Sequence, residues 1–205
     1  MRKDHKKTKP LFILFSCILI CFSCSKQQHE NTCLCPHTTI YLQPYEDFTE
    51  EEANKLVPKL LDEFSYWLYG GWEFKVLKPI PLPDKSFVSE RNRYRAIDIL
   101  ETQSDNLKGK GVVVGLTHKD ICADVHNVKN YGIVGYSYTP GNSCVVSDKR
   151  LKNKKIIWKP LLHEFMHAFY GAKHCPKDDP KCFMVDAKGK GNFAIQDRLC
   201  DSCRR

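Results

Sequence analysis

His163, Glu164 and His167 open the stretch HEFMHAFYGAKHC of this 205-residue chain, with Gly171, His174 and Cys175 close behind. Residues four apart on a helix share a face, so His163 and His167 can both turn an imidazole toward one metal ion. Glu164 between them is placed to hold a water on that metal and take its proton. Gly171 can turn the chain after the helix and bring His174 back as a third ligand. Zinc hydrolysis asks for such a set: three protein ligands, an open position for a water whose pKa the metal lowers, and a carboxylate that moves its proton to the leaving amine. Chance would place HExxH on an ordinary amphipathic helix on the order of once in a hundred chains of this composition. The expectation is a catalytic zinc at His163, His167 and His174, with Glu164 as general base.

Four cysteines, Cys175, Cys182, Cys200 and Cys203, crowd the end of the chain and finish in a Cys-x-x-Cys pair. Four thiolates can close a tetrahedral structural zinc site; the same residues in an exported protein can form two disulfides. Both readings stand at this point, with the Cys-x-x-Cys knuckle favouring zinc. Cys33, Cys35, Cys122 and Cys144 are scattered, and pairing among them would suit an exported chain. Tyr131, Tyr136, Tyr138 and Tyr170 could each hydrogen-bond a tetrahedral intermediate, although packing explains any one of them. Lys188 to Gly191 reads as a solvated loop.

The elements that must position these groups follow from periodicity. Ile40 to Leu42 is a candidate first strand. Phe48 to Tyr69 reads as a helix, capped by Thr49 with Glu52 and carrying Leu56, Leu60, Phe64 and Trp67 at helical spacing. Trp72 to Leu77 is a second strand, and Ser89 to Thr102 a second long helix. Gly111 to Thr117 is a near-continuous apolar run, as a central buried strand has. Gly132 to Tyr138 and Cys144 to Ser147 read as two further strands around the turn Pro140-Gly141-Asn142. The third helix, Lys159 to Tyr170, carries the histidines and has Pro160 in its first turn. A short helix is expected around Ala194 to Cys200.

The formal net charge is +8, of which residues 1–23 hold +4 through Arg2, Lys3, Lys6, Lys7 and Lys9 against Asp4, leaving +4 for the rest. That basic start precedes the apolar run Leu11 to Phe22, which is short for a transmembrane helix of about 20 residues. It reads as an export signal over 1–23. Ser23-Cys24-Ser25 resembles a lipoprotein cleavage site, with Cys24 the lipidated residue, followed by a polar tether over 24–38 and one globular domain over 39–205. The expected location is the bacterial cell envelope, anchored to a membrane through the lipid. No basic helix interleaved with stacking aromatics is present, which argues against nucleic acid as a partner.

The composite pattern resembles the archaemetzincins, a metzincin-like family. HExxH, a glycine, a third histidine followed at once by cysteine, then Cys182-Phe183-Met184 and Cys200-Asp201-Ser202-Cys203 recur in the family's order. Leu82-Pro83, Arg91 to Leu100, Val112 to Thr117, and Val145-Ser147 before Arg150-Leu151 look like family positions too. The resemblance covers about residues 40–205. It implies an α/β (α+β) fold: a twisted mixed sheet with backing helices and the active-site helix in an upper subdomain (39–170), and a small Cys-rich lower subdomain (171–205). It implies one catalytic zinc on His163, His167 and His174, Glu164 as base, and a second, structural zinc on Cys175, Cys182, Cys200 and Cys203. Met184 would be the Met-turn residue under the catalytic metal. An antiparallel edge strand within Gly132 to Tyr138 would bind a peptide or protein substrate by strand addition. The family usually spaces its first and third histidines ten apart; here the spacing is eleven, and Tyr170 stands where the glycine usually does. One extra residue must be absorbed in the turn after the helix.

The expected function is a monomeric, membrane-anchored zinc metallopeptidase. The alternative is a catalytically weak zinc-binding or peptide-binding module on the same fold.

Overall fold

The computed structural model describes residues 37–107, 111–125, 127–187 and 192–204. Cys24, Cys33, Cys35, the export signal and the Lys188 to Gly191 loop lie outside the described residues. Among the described residues no helix is long and apolar enough to cross a membrane.

A five-stranded sheet carries the architecture. Its strands are β1 (His37–Pro44), β2 (Gly71–Val76), β5 (Val112–Thr117), β8 (Gly135–Ser137) and β9 (Ser143–Ser147), in the order β2-β1-β5-β9-β8. Four of them run parallel, and β8 is the antiparallel edge. Every residue of β5 and β9 is buried. Helices cover both faces of such a strand, which explains the unbroken apolar run over Val112, Val113 and Val114.

Three helices do the covering: α1 (Glu50–Trp67), α2 (Ala96–Leu107) and α3 (Trp158–Tyr170). Side chains alternate along a strand, and the core divides accordingly. Cys144 and Val146 of β9 join Val112, Val114 and Leu116 of β5 in a cluster with α1 and α3, whereas Val145 joins Ile99 and Leu100 of α2. Phe64 of α1 meets Phe165 of α3 with ring centroids 4.9 Å apart, and Trp72 closes on Phe165 at 5.5 Å. Burying rings of this size contributes roughly 2–3 kcal/mol each.

Helix α1 begins where its capping box requires. The Glu52 N–H donates to Thr49 Oγ1 at 3.1 Å, and Glu52 Oε2 accepts the Thr49 N–H at 2.9 Å. Helix α3 starts without a side-chain cap and places Pro160 third, where no intrahelical N–H is needed. Residues Trp158 to Ala168 are buried apart from the part-covered Lys159.

Three expectations change. The helix expected from Ser89 begins only at Ala96; before it lie a 3-10 turn at Ser89–Arg91 and β4 (Arg93–Arg95). Asn92 sits in the left-handed region at φ 49°, which breaks any helix there. Strand β4 belongs to a second, four-stranded sheet with β3 (Phe87–Val88), β6 (Ile121–Val125) and β7 (Val128–Ile133), ordered β3-β4-β6-β7. Asp120 pins that sheet to the rest, accepting from Arg93 Nε at 2.8 Å and Arg150 Nε at 2.7 Å. The single strand expected over Gly132 to Tyr138 is divided: β7 ends in the second sheet and β8 pairs with β9 in the first. Residues 194–200 hold no helix: a turn at 193–195 is followed by irregular chain in which Arg198 pairs with Cys182 as an isolated β-bridge.

Gly115 sits where β5 passes under α2. A Cβ there would stand 2.3 Å from Gln103 Oε1 and 3.0 Å from the Tyr45 ring. Gln103 is held in place by bonds to Ser143 Oγ and the Cys144 carbonyl at 2.9 and 3.0 Å. Gly115→Ala is therefore expected to destabilise the protein by roughly 1–3 kcal/mol, as overpacking does, read as a lower urea midpoint. An unchanged midpoint would mean the Gln103 side chain gives way freely.

Candidate metal centre

A helix buried around most of its girth must find partners for every polar side chain it carries. His163, Glu164 and His167 are 7, 8 and 8% exposed. His163 Nδ1 lies 2.7 Å from the Phe183 carbonyl oxygen, and His167 Nδ1 lies 2.5 Å from that of Ala172. A carbonyl only accepts, so each Nδ1 carries the ring proton and each Nε2 is left with a lone pair. The two Nε2 atoms face each other at 3.0 Å. Two acceptors at that distance repel unless a cation lies between them, and two ~2.0–2.1 Å bonds to one tetrahedral zinc would set them about 3.3 Å apart. The donor chemistry fits a metal.

His174 completes the set. One ligand atom each from His163, His167 and His174 lie within 4.8 Å of one another. Its ring centroid is 4.7 Å from that of His167 and 5.4 Å from that of His163. The chain returns toward the helix through a turn at the end of α3. The N–H groups of Gly171 and Ala172 both point to the Met166 carbonyl, five and six residues back instead of the regular four. The last turn is thus widened in the manner of a π-turn. Gly171 then reverses the chain at φ 58°, a conformation that costs a residue with a Cβ. The same turn delivers the Ala172 carbonyl to His167, so it orients that ring and returns His174.

Glu164 is met from above by the edge strand. Ser137 Oγ donates to Glu164 Oε2 at 2.9 Å. Two residues earlier on the same face, a Cβ on Gly135 would lie 2.5 Å from Glu164 Cγ. Only glycine lets β8 pass so close. Burial raises the Glu164 carboxyl above its ordinary value, opposed by His167 and by the Ser137 hydrogen bond.

The four tail cysteines also converge. Cys175, Cys182, Cys200 and Cys203 bring their sulfurs within 4.8 Å of one another, with Cys175 and Cys200 Sγ 3.6 Å apart. Four ~2.3 Å bonds to one tetrahedral metal would set sulfurs about 3.8 Å apart. Burial pushes the Cys182 thiol up to about 11 and raises Cys203 as well. Burial also raises Cys175, but the N–H groups of Asp179 and Lys177 and the neighbouring thiols outweigh it and hold that thiol below its usual value. A cation bound among them would favour the thiolate forms that burial otherwise opposes. Met184 is fully buried in the core cluster that α3 and these cysteines share.

The structure therefore gathers the three histidines and Glu164 in one place and the four cysteines in another. Cys122 and Cys144 are buried free thiols. Tyr170 turns its hydroxyl to the Tyr69 carbonyl at 3.3 Å, and Tyr136 and Tyr138 pack against the α2 cluster. Two residues near the site are missing from the sequence reading. Ser137 lies between the two tyrosines singled out in its strand; its partnership with Gly135 at a spacing of two was the available signal. Asp186 places a carboxylate oxygen 3.9 Å from His174 Nδ1, two residues past Met184.

No protein-family model matches this chain. It is 30% identical over 140 residues to the archaemetzincin of Haloquadratum walsbyi, spanning 60% of this chain and 76% of that one. The crystal structure of an archaemetzincin from Methanopyrus kandleri superposes with a TM-score of 0.69 at 26% identity, covering 82% of this chain and 91% of the other. The archaemetzincin from Archaeoglobus fulgidus, solved with malonate, has the same fold at a TM-score of 0.65 and 24% identity, covering 80% and 97%.

Burial lowers His163 to about 4, and burial with repulsion from His163 lowers His167 to about 4, both from 6.5. Between those values the unfolded chain binds protons that the folded chain does not. Stability of the metal-free protein should therefore fall as pH drops from about 6.5 toward 4, by roughly 1–2 kcal/mol per histidine at pH 5. Urea unfolding of chelator-treated protein at pH 7 and pH 5 measures it; equal midpoints would contradict the buried neutral pair.

Proposed function

This chain belongs to the archaemetzincin family of zinc metallopeptidases, and from that premise we propose that it hydrolyses peptide bonds with Glu164 as general base. His163, His167 and His174 hold the metal in this reading. The observation that carries it is the pair of Nε2 lone pairs facing each other at 3.0 Å in the protein interior, each fixed by a carbonyl behind it. A zinc ion bound there would supply Lewis acidity, lowering the pKa of a water and polarising the scissile carbonyl.

The chain's own groups supply the rest. Glu164 takes the proton from the attacking water and passes it to the leaving amine. Its burial serves that role, since a carboxyl raised toward neutrality both accepts and returns a proton readily. Ser137 holds Oε2, so Oε1 is the oxygen available for the water. Among the described residues, strand β8 pairs with β9 on one side only. Its other edge offers backbone groups to an extended peptide, which would lie as an added strand above α3. The cysteine cluster fits a second, structural zinc. The substrate class is polypeptide, and a monomer contains every residue the reading uses.

Glu164→Gln should keep its zinc, close to two per chain by atomic emission, and lose peptide hydrolysis by about 10²–10⁴-fold. A folded wild-type protein that binds zinc and cleaves no member of a peptide library would favour the binding module instead. The leader motif supports a separate proposal, that the chain is exported and lipidated at Cys24. Labelled palmitate should then follow wild type and not Cys24→Ala; label on both, or on neither, would remove it.

A further inference from the structure

We propose that the four-cysteine cluster positions the histidine site, so that filling the thiolates with metal raises the affinity of His163, His167 and His174 for theirs. The inference rests on the zinc reading above. Its basis is how the two sites share backbone. Cys175 directly follows His174, and Cys182 directly precedes Phe183, whose carbonyl fixes the His163 ring at 2.7 Å. The Cys175 N–H donates to the Met184 carbonyl at 2.7 Å, joining the two segments one residue beyond each contact.

The far half of the cluster holds the same segment from behind. The Phe183 N–H donates to the Arg198 carbonyl at 2.7 Å, and Arg198 stands two residues before Cys200. Between Gly171 and Arg204 the described residues contain no helix and no strand longer than one bridge. Single hydrogen bonds and a few buried side chains, Phe183 and Met184 among them, hold this backbone in place of a regular ladder. Four bonds to one metal would tighten it further, since in small irregular segments metal binding and folding are coupled. With the thiolates empty, the Phe183 carbonyl and His174 keep the hydrogen bonds beside them and lose the metal's hold. The outer partner of one ligand and the third ligand itself then move together. Loss of an outer partner alone weakens metal binding about 10–100-fold.

The test uses the full, reduced, metal-free chain and cobalt(II), which gives intense thiolate charge-transfer bands at a cysteine site and weak visible bands at a histidine site. In wild type the thiolate bands should saturate first. Cys200→Ser/Cys203→Ser removes two thiolates far from the histidines in sequence. Its histidine site should bind cobalt at least tenfold more weakly than that of wild type, in line with that range. A folded variant that binds cobalt at the histidines with wild-type affinity overturns the proposal. Should that variant fail to fold, wild type carries the test by itself. One equivalent of cadmium(II), which prefers thiolates, should bring the His163 Nδ1 proton into slow exchange in the NMR spectrum before any metal reaches the histidines; an unaltered spectrum overturns the proposal. A wild type with no histidine bands at all refutes the zinc reading itself, an outcome distinct from uncoupled sites.

Discussion

Two neutral imidazoles that turn their lone pairs on each other inside a protein make a contact that folding has no reason to favour. Each carbonyl behind them dictates the tautomer, and the tautomer dictates which nitrogen faces inward. The cost of leaving such acceptors unpaired is on the order of 1–3 kcal/mol each. It is offset by the apolar side of the same helix, where Leu161, Leu162, Phe165 and Met166 are fully buried. The helix is driven into the core by four large side chains, and three polar groups are carried in with it. The rest of the architecture can be understood as supplying what those three groups need.

The supply comes from three directions. The strand edge gives Ser137 and the bare backbone of Gly135 to Glu164. The turn after α3 gives Ala172 to His167, and the irregular tail gives Phe183 to His163. Lys159, at the start of α3, donates to the carbonyls of Phe193 and Gln196 and so holds the tail against the helix at its other end. Sheet, helix and tail thus meet at one point, although they are far apart in sequence.

Local patterns made part of this legible. The Thr49–Glu52 cap, the buried run of β5 and the histidine helix are written in neighbouring residues, and the structure has all three where their periods put them. What escaped depends on distant partners. Residues 89–95 look helical by composition, yet β4 takes its conformation from pairing with β3 and β6. The turn residue Asn92 carries no warning apart from its tolerance of the left-handed region. The tail reads as a helix near Ala194 until Cys182 pairs with Arg198. At the site, the histidines announce themselves by spacing, whereas Ser137 and Asp186 acquire meaning only once strand and loop are brought to Glu164 and His174.

The widened end of α3 has a consequence for how such sites vary. An inserted residue in the body of the helix would rotate everything after it by about 100° and part the two histidines. The last turn can take a residue more, since the Ala172 N–H reaches back six positions to Met166 and Gly171 reverses the chain. The joint thus spans the eleven positions from His163 to His174 and still brings the three ring nitrogens together. A motif written as fixed residue counts would pass this chain by; one written as a helix, a left-handed reversal and a returning histidine would find it.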